Sequence, residues 1–536
     1  MFRRMTSGRA ICLSDQFPLI KVAEVMSGRV TFVGLPPVEL GSDVDWTANP
    51  HGNRSWALNL HALRWMGRLV AEYERSGERA YLDRAGALAE HWIRENPRGG
   101  RGVSPWAWAE HAVALRAPAL VCLSQHVRSR TLWDSLAEHG QILADSSLYR
   151  AGHNHGLDQD IGLLVVGCRL GRTRWRDLAI RRMTASAELA IDAQGVLQEQ
   201  APRYGLYVHR RLGTALRAIG ESGAEPPQRL IARRAALEAY VAHATQPDGR
   251  LAPIGDSPAD TLAGGFPHEG PVVRVFDGGY VFGRTAWDDP RSAFYSIRFG
   301  PGRRLHGHED HLGVTYSAQG RRVLVEAGFH SYERTGYVEW TRSPEAHNVP
   351  VVAGAFRPGT ATRLAGSSVT PSRQSFELAD DAYGVTRTRR VLVNHGPDLM
   401  AVHDSVEGGT LRSLWHFDPS LRVVSRGDGR VVLGDGDWRV TLLQLPGAGL
   451  GVRPGLVSTG YLRTAEVATV VSPAAAAVLT LIVPGAADPR VEVSGDALTV
   501  HTPDGPVTLH PPYSQSSCAP GSGPRWRPCA RGPRRP

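Results

Sequence analysis

The apolar pattern of this chain changes period once, at Gln246-Pro247-Asp248-Gly249, and no other feature limits its possible folds so strongly. Upstream, from about 54 to 245, apolar residues recur at three- and four-residue steps; Trp56, Leu60, Leu63, Gly67 and Val70 make one such stripe. Similar stripes cover 81–93, 107–123, 131–143, 155–170, 175–191, 206–219 and 228–244, separated by short breaks such as Gly171-Arg172. Side chains three and four apart share a helix face, so each stripe predicts an amphipathic helix. Many helices with short connections predict stacked antiparallel hairpins, in a bundle or a ring. No fixed-period repeat points to a regular solenoid. Downstream the alternation has period two, as in 279–284, 293–299, 313–317, 322–326, 389–393, 399–403 and 478–483. Gly and Asp-Gly breaks punctuate these runs, which predicts antiparallel strands in a large sandwich.

The chain therefore reads as α+β and multidomain, since 536 residues exceed what one compact core serves. Four segments are expected: an N-terminal extension over 1–29, a helical domain over 30–265, a β-sheet domain over 270–512, and a basic tail over 513–536. The tail is rich in Pro, Gly, Ser and Arg and is expected to be disordered. The formal charge of +9 is carried mostly by the ends: five Arg lie in the tail and three in the first nine residues. The body is close to neutral, so the composition does not point to nucleic acid. No apolar run reaches the length of a membrane span, so no membrane partner is expected. Ala10-Ile11-Cys12-Leu13 is cut short by Ser14-Asp15-Gln16, a poor signal-peptide core. As written, the chain is expected in the cytoplasm, with export if the start codon is misplaced. Lys21 is the only lysine, which argues against Schiff-base chemistry. Five scattered Cys without a CxxC predict neither a disulfide framework nor a thiolate zinc site, and Cys122 and Cys168 read as core residues.

Three polar clusters stand out. In His306-Gly307-His308 the histidines sit at i and i+2, which on a strand would place both rings on one face. Glu326 ends the run Arg322-Val323-Leu324-Val325-Glu326, and His347 follows the turn Ser343-Pro344-Glu345-Ala346. His308, Glu326 and His347 together make a sound zinc set, with His306 left beside it for proton transfer. The competing reading is a surface loop with several histidines and no metal. Far upstream lies His153-Asn154-His155, where a helix is expected to start and where Asn154 would serve simply as an N-cap. The third cluster holds Tyr204 and Tyr207 just after Pro202, at another helix start, where packing is the ordinary role for tyrosine.

In this order and spacing the clusters resemble the heparinase II/III-like polysaccharide lyases, a family that includes oligoalginate lyases. The resemblance covers roughly 30–510. It includes Trp46, Trp56, Leu60, Tyr81, Trp92, Arg116, Asp248-Gly249-Arg250-Leu251 and Gly255-Asp256-Ser257. It implies an N-terminal incomplete (α/α) toroid followed by a C-terminal antiparallel β-sandwich, with one site assembled from the two. It also implies site roles. Asn154 and His155 would bind and neutralise a substrate carboxylate, with Tyr207 and Arg342 as further substrate-binding residues. Tyr204 would be a catalytic acid or base and His306 its counterpart. His308, Glu326 and His347 would hold a structural zinc. The family usually has Asp at the place of Glu326, and many members have His where this chain has Gly205. The implied activity is β-elimination on an anionic, uronic-acid-containing polysaccharide or oligosaccharide. A uronate C5 proton leaves only if the developing charge on the neighbouring carboxylate is stabilised. Other classes stay open at this point: a non-lytic carbohydrate-binding or polysaccharide-assembly protein, a zinc-dependent hydrolase, or a glycosidase using Asp158 and Asp160. The sequence does not fix the oligomeric state.

Overall fold

The computed structural model describes residues 10–510 except Leu19, Ser42, 267–269, Asp428, Pro446 and Ala448. The expected tail over 513–536 lies outside the described residues. The chain divides into two compact units. One runs to Ala242 and includes Ala263–Pro267 and His330–Val338; the other takes His243–Leu262, His268–Phe329 and the chain from Glu339 onward. The break thus falls about twenty residues before the expected boundary, and two short segments from later in the sequence belong to the helical unit.

In the helical unit the apolar stripes become the helices Arg54–Ala62, Arg64–Ser76, Arg79–Glu95, Glu110–Ser124, Arg130–Ala144, Asn154–Arg169, Thr173–Ala190, Pro202–Glu221 and Gln228–Ala244. The stripe expected as a single helix over 56–70 is two. Leu63 is wholly buried with φ 50°, a left-handed residue that ends one helix and begins the next. Buried residues recur at three- and four-residue steps on both sides of Leu63, so the pattern of apolar residues does not reveal the break. Glu110–Ser124 and Asn154–Arg169 are buried almost all round, as central helices of an array are. Gly162 lets them approach closely: a Cβ there would stand 3.0 Å from the Ala114 carbonyl. Arg116 is fully buried. It donates to the His61 carbonyl at 2.7 Å and to His139 Nε2 at 2.9 Å, and lies 3.7 Å over the Trp92 ring. Arg116, Trp56 and Trp92 thus carry core packing rather than chemistry.

Residues 10–29 are part of this unit and not an extension. Ile11, Leu13, Phe17 and Val25 are buried, and the Phe17 ring stands 2.6 Å from where a Cβ on Gly67 would be. Asp15 pairs with Arg217 at 2.7 Å. Cys12 and Cys122 form a disulfide, which corrects the expectation that no bridge would be found. The spacing gave no warning because the two cysteines are 110 residues apart and meet only through helix packing.

The β unit is built on two sheets packed face to face. A five-stranded antiparallel sheet has the order Val273–Phe276, Tyr280–Arg284, Phe294–Arg298, Val314–Ala318, Arg321–Leu324. An eight-stranded antiparallel sheet includes Arg373–Asp380, Arg387–Asn394, Leu399–Val406 and Ala477–Pro484. Alternation decides which face each side chain serves. On Leu399–Val406, Met400 and Val402 enter the core shared with Tyr295, Ile297, Val314 and Tyr316, while Leu399 and Ala401 point the other way. That second face is covered by Leu498, Val500, Val507 and Leu509 of the three-stranded sheet Val491–Ser494, Ala497–Thr502, Gly505–Leu509.

A buried polar knot fixes the loops above this core. Arg389, wholly buried, donates to Asp404 at 2.6 and 2.8 Å, to the Leu312 carbonyl at 2.8 Å and to the Asn348 carbonyl. The Asn348 amide donates to the carbonyls of Val314 (2.9 Å) and Val325 (2.8 Å) and accepts from the His416 amide at 2.6 Å. Breaking a buried ion pair leaves a charge without compensation. Arg389→Met is therefore expected to destabilise the β unit by about 3–5 kcal/mol in chemical denaturation, with part of that recovered by adding Asp404→Leu; an equal loss in both variants would show that the pair is not the cause. Cys12→Ser is expected to lower the stability of the helical unit by about 2–5 kcal/mol, because the bridge closes a long loop. An unchanged thermal midpoint, with no difference under reductant, would show that the bridge does not form.

Candidate active site

In the helical unit two of the implied substrate residues open the helix Asn154–Arg169. His153 is its N-cap, accepting from the His155 amide at 3.0 Å; Asn154, expected to cap it, is the first helical residue. Asn154 is buried and held by Glu199, which accepts its backbone N–H at 2.7 Å and its Nδ2–H at 2.6 Å. His155 is partly exposed. Its Nδ1 lies 3.2 Å from Glu110 Oε1, and its ring stacks on His111 at 3.7 Å with the planes 18° apart. The hydrogen bond from His155 is the largest of several effects that hold the Glu110 carboxyl down at about 2.

The helix Pro202–Glu221 has proline in its first turn, where the missing N–H costs nothing. Tyr204 therefore sits in that first turn, and its hydroxyl meets the hydroxyl of Tyr332. Tyr332 belongs to the returning segment His330–Val338, which is tied in by the Arg54 amide donating to Glu333 at 2.9 Å. One turn on, the Tyr207 hydroxyl donates to Asp158 at 2.6 Å, so it faces the interior of the unit. Asp158 is fully buried and also accepts from Arg211 at 2.6 Å and lies 2.9 Å from His111 Nε2. Burial alone would raise its pKa, but Arg211 and His111 outweigh this and hold it below the usual carboxylate range. Asp160 is equally buried and is bonded to Tyr149 at 2.7 Å. Neither carboxylate reaches solvent, which removes the glycosidase reading. Asp158 instead binds the helices that begin at Asn154 and Pro202 side by side.

In the β unit His306 and His308 are not on a strand. They lie in the connection between Phe294–Arg298 and Val314–Ala318. Their rings nevertheless converge, because Asp256 takes both: His306 Nδ1 lies 2.8 Å from Oδ2 and His308 Nε2 lies 3.1 Å from Oδ1. The Asp256 amide also donates to the His306 carbonyl at 2.8 Å, so backbone and side chain grip one loop. Arg342 Nη2 lies 3.4 Å from both oxygens. Burial opposes the Asp256 charge, yet the two imidazoles and Arg342 hold its pKa below the usual range. Asp256, Glu199, Glu110 and Tyr332 are the site residues that reading the sequence missed. Asp256 had a signal in Gly255-Asp256-Ser257, and Glu199 heads the third cluster, three residues before Pro202; Glu110 and Tyr332 had none.

Glu326 lies two residues beyond its strand, Arg321–Leu324, and accepts from His347 Nδ1. The His308 and His347 ring centroids are 5.4 Å apart. Both rings are buried, and His308 Nδ1 and His347 Nε2 have no hydrogen-bond partner among the described residues. Two unsatisfied imidazole nitrogens beside a buried carboxylate are a donor set suited to zinc. The opposite nitrogen of the His308 ring is held by Asp256, as outer-shell partners hold metal-bound histidines, but that of His347 is held by Glu326 itself, so Glu326 would have to leave Nδ1 to join the set.

Residues 22–262 match the heparinase II/III N-terminal family profile and residues 274–499 the heparinase II/III-like C-terminal profile. No curated protein matches the chain by sequence. Among solved structures, a heparan sulfate lyase from Pedobacter heparinus superposes with a TM-score of 0.68 at 17% identity, covering 93% of this chain and 90% of that one. A heparinase III gives a TM-score of 0.75 at 15% identity, over 89% of this chain and 86% of that one. A Streptomyces coelicolor chondroitin AC lyase, solved with chondroitin sulphate, gives 0.53 at 14% identity over 86% and 81%. The order of a helical toroid followed by an antiparallel β-sandwich is the fold of these neighbours, as the sequence led one to expect. With both halves of its sequence matched in order, the chain belongs to the heparinase II/III-like family of polysaccharide lyases.

Proposed function

We propose that this protein cleaves a uronic-acid-containing polysaccharide or oligosaccharide by β-elimination. The observation that carries the reading is the equipment of two adjacent helix starts in the helical unit. One start presents an amide and an imidazole, Asn154 and His155; the other presents the phenol of Tyr204 against that of Tyr332. The likeness to heparan sulfate and chondroitin lyases supports an anionic substrate.

The chemistry follows from these groups. A base removes the C5 proton of the uronate, the electron pair forms a C4–C5 double bond, and the C4–O bond breaks with the leaving oxygen taking a proton. Charge grows on the uronate carboxylate as the proton departs. Glu199 takes one hydrogen of the Asn154 amide and so fixes its plane, and the second N–H is the donor proposed for that carboxylate. His155 supplies a further donor there. Tyr204 serves the proton transfer, its hydroxyl oriented by Tyr332. His306, held at Nδ1 by Asp256, is the second proton carrier, and Arg342 is a substrate-binding cation. Tyr207 contributes through Asp158 and the placement of its helix.

Zinc, when bound, would be held by His308, Glu326 and His347 and would tie the loop bearing His306 to the sandwich; no proton transfer is assigned to it. The Cys12–Cys122 bridge favours an oxidising compartment over the cytoplasm that the sequence suggested. No helix among the described residues is long and apolar enough to cross a membrane.

The test is a panel of heparan sulfate, chondroitin sulphate, hyaluronan and alginate, read by the ultraviolet absorbance of the unsaturated product. One polymer is expected to yield it. Tyr204→Phe is expected to lower turnover at least 10²-fold, the scale of a lost acid–base group, with an unchanged circular dichroism spectrum. Shortened chains without absorbance would indicate hydrolysis and sink the elimination reading. Elemental analysis should find about one zinc per chain, with His308→Ala losing it and melting at lower temperature. Metal-free protein whose melting does not respond to added zinc would end the zinc assignment.

A further inference from the structure

Glu110 belongs to none of the three polar clusters that point to function, yet it touches His155, a partly exposed member of the helical-unit site. It is the first residue of the helix Glu110–Ser124, and its Oε1 lies 3.2 Å from His155 Nδ1 and 3.5 Å from Arg150 Nε. A carboxylate only accepts, so the His155 nitrogen facing it carries a proton. Nδ1–H is thus held by Glu110, and Nε2 is left facing the open side of the ring.

The other faces of His155 are also occupied. His111, the next residue on the same helix, stacks flat on it at 3.7 Å and is itself locked by Asp158 at 2.9 Å. His153 meets it edge-on at 4.5 Å. The groups around the ring are therefore Glu110, His111 and His153, with Arg150 beyond Glu110 and Asp158 behind His111. Burial lowers the pKa of His111, which favours a neutral ring in the stack. Glu110, held low by His155 above all, stays ionised across the working range.

We propose that Glu110 is a positioning residue that acts through His155, holding its Nδ1–H and ring angle so that Nε2 faces outward, with His111 as the backing plate. The proposal rests on the β-elimination reading for its kinetic consequence but not for its structural one. A helix that begins with Glu110-His111 thus presents both its first side chains to one imidazole, the carboxylate at its edge and the second ring on its face.

A double-mutant cycle tests the first part. Glu110→Ala is expected to lower kcat/KM on the responsive polymer at least tenfold, and Glu110→Gln, which keeps an acceptor oxygen, to recover a large share. In a His155→Gln background, Glu110→Ala should cost nothing further. An equal loss in both backgrounds would overturn the proposal, since a merely structural role does not depend on His155. Nitrogen NMR of protein carrying ¹⁵N-histidine, assigned by the His155→Gln difference, tests the second part without any substrate. A hydrogen-bonded Nδ1–H is expected in wild type and its loss in Glu110→Ala; an unchanged Nδ1 signal in that variant overturns the proposal. If wild type yields no unsaturated product, the function fails while the NMR result still decides the role of Glu110.

Discussion

A carboxylate taken out of water must be met by donors or cations, and this requirement organises both units. Removing such a group from solvent costs several kcal/mol or more unless hydrogen bonds and opposite charge offset it. Asp158 and Asp256 are both buried, and each gathers groups that the proposed chemistry needs in place. Asp158 draws in Arg211, Tyr207 and His111, and His111 in turn backs His155. Asp256 draws in His306 and His308 and lies beside Arg342. In both cases the buried charge is not the reacting group. It sets where the groups proposed to react stand.

The supporting parts follow the same logic at lower cost. Asn348 satisfies two carbonyls and one amide around His347, and Arg389 holds the backbone of Leu312 and Asn348 from beneath. These residues touch no substrate in the proposed chemistry, but a loop carrying the histidines proposed for it needs such fixed points. A displacement of about 1 Å at a reacting atom can cost roughly 10²-fold in rate. The rigid β core beneath, with alternate side chains of one strand filling two separate cores, gives the loops a base that does not yield.

How far the sequence disclosed this differs from residue to residue. His308, Glu326 and His347 stood out because imidazoles and carboxylates in such density are unusual, whereas the position of Tyr204 at a helix start suggested packing and only the family resemblance gave it a chemical role. The strand expected for His306 and His308 was wrong in form. Their rings share a partner because a carboxylate from fifty residues upstream lies under the loop, not because of pleating. Glu110 and Glu199 look like ordinary polar residues until Asn154 and His155 are seen against them. Tyr332 is 128 residues from Tyr204, and no local pattern relates the two.

Periodicity alone determined the larger facts: a helical half, a sheet half, and a switch between them near 246–270, since burial of one face imposes a repeat of 3.6 or 2 wherever it occurs. Spacing within short segments determined which residues could do chemistry. Tertiary structure alone decided the partners: the Cys12–Cys122 bridge, the break at Leu63, the return of His330–Val338 to the helical unit, and the carboxylate behind each imidazole. The physical reason is that periodicity is a property of neighbours along the chain, whereas compensation of a buried charge is a property of neighbours in space.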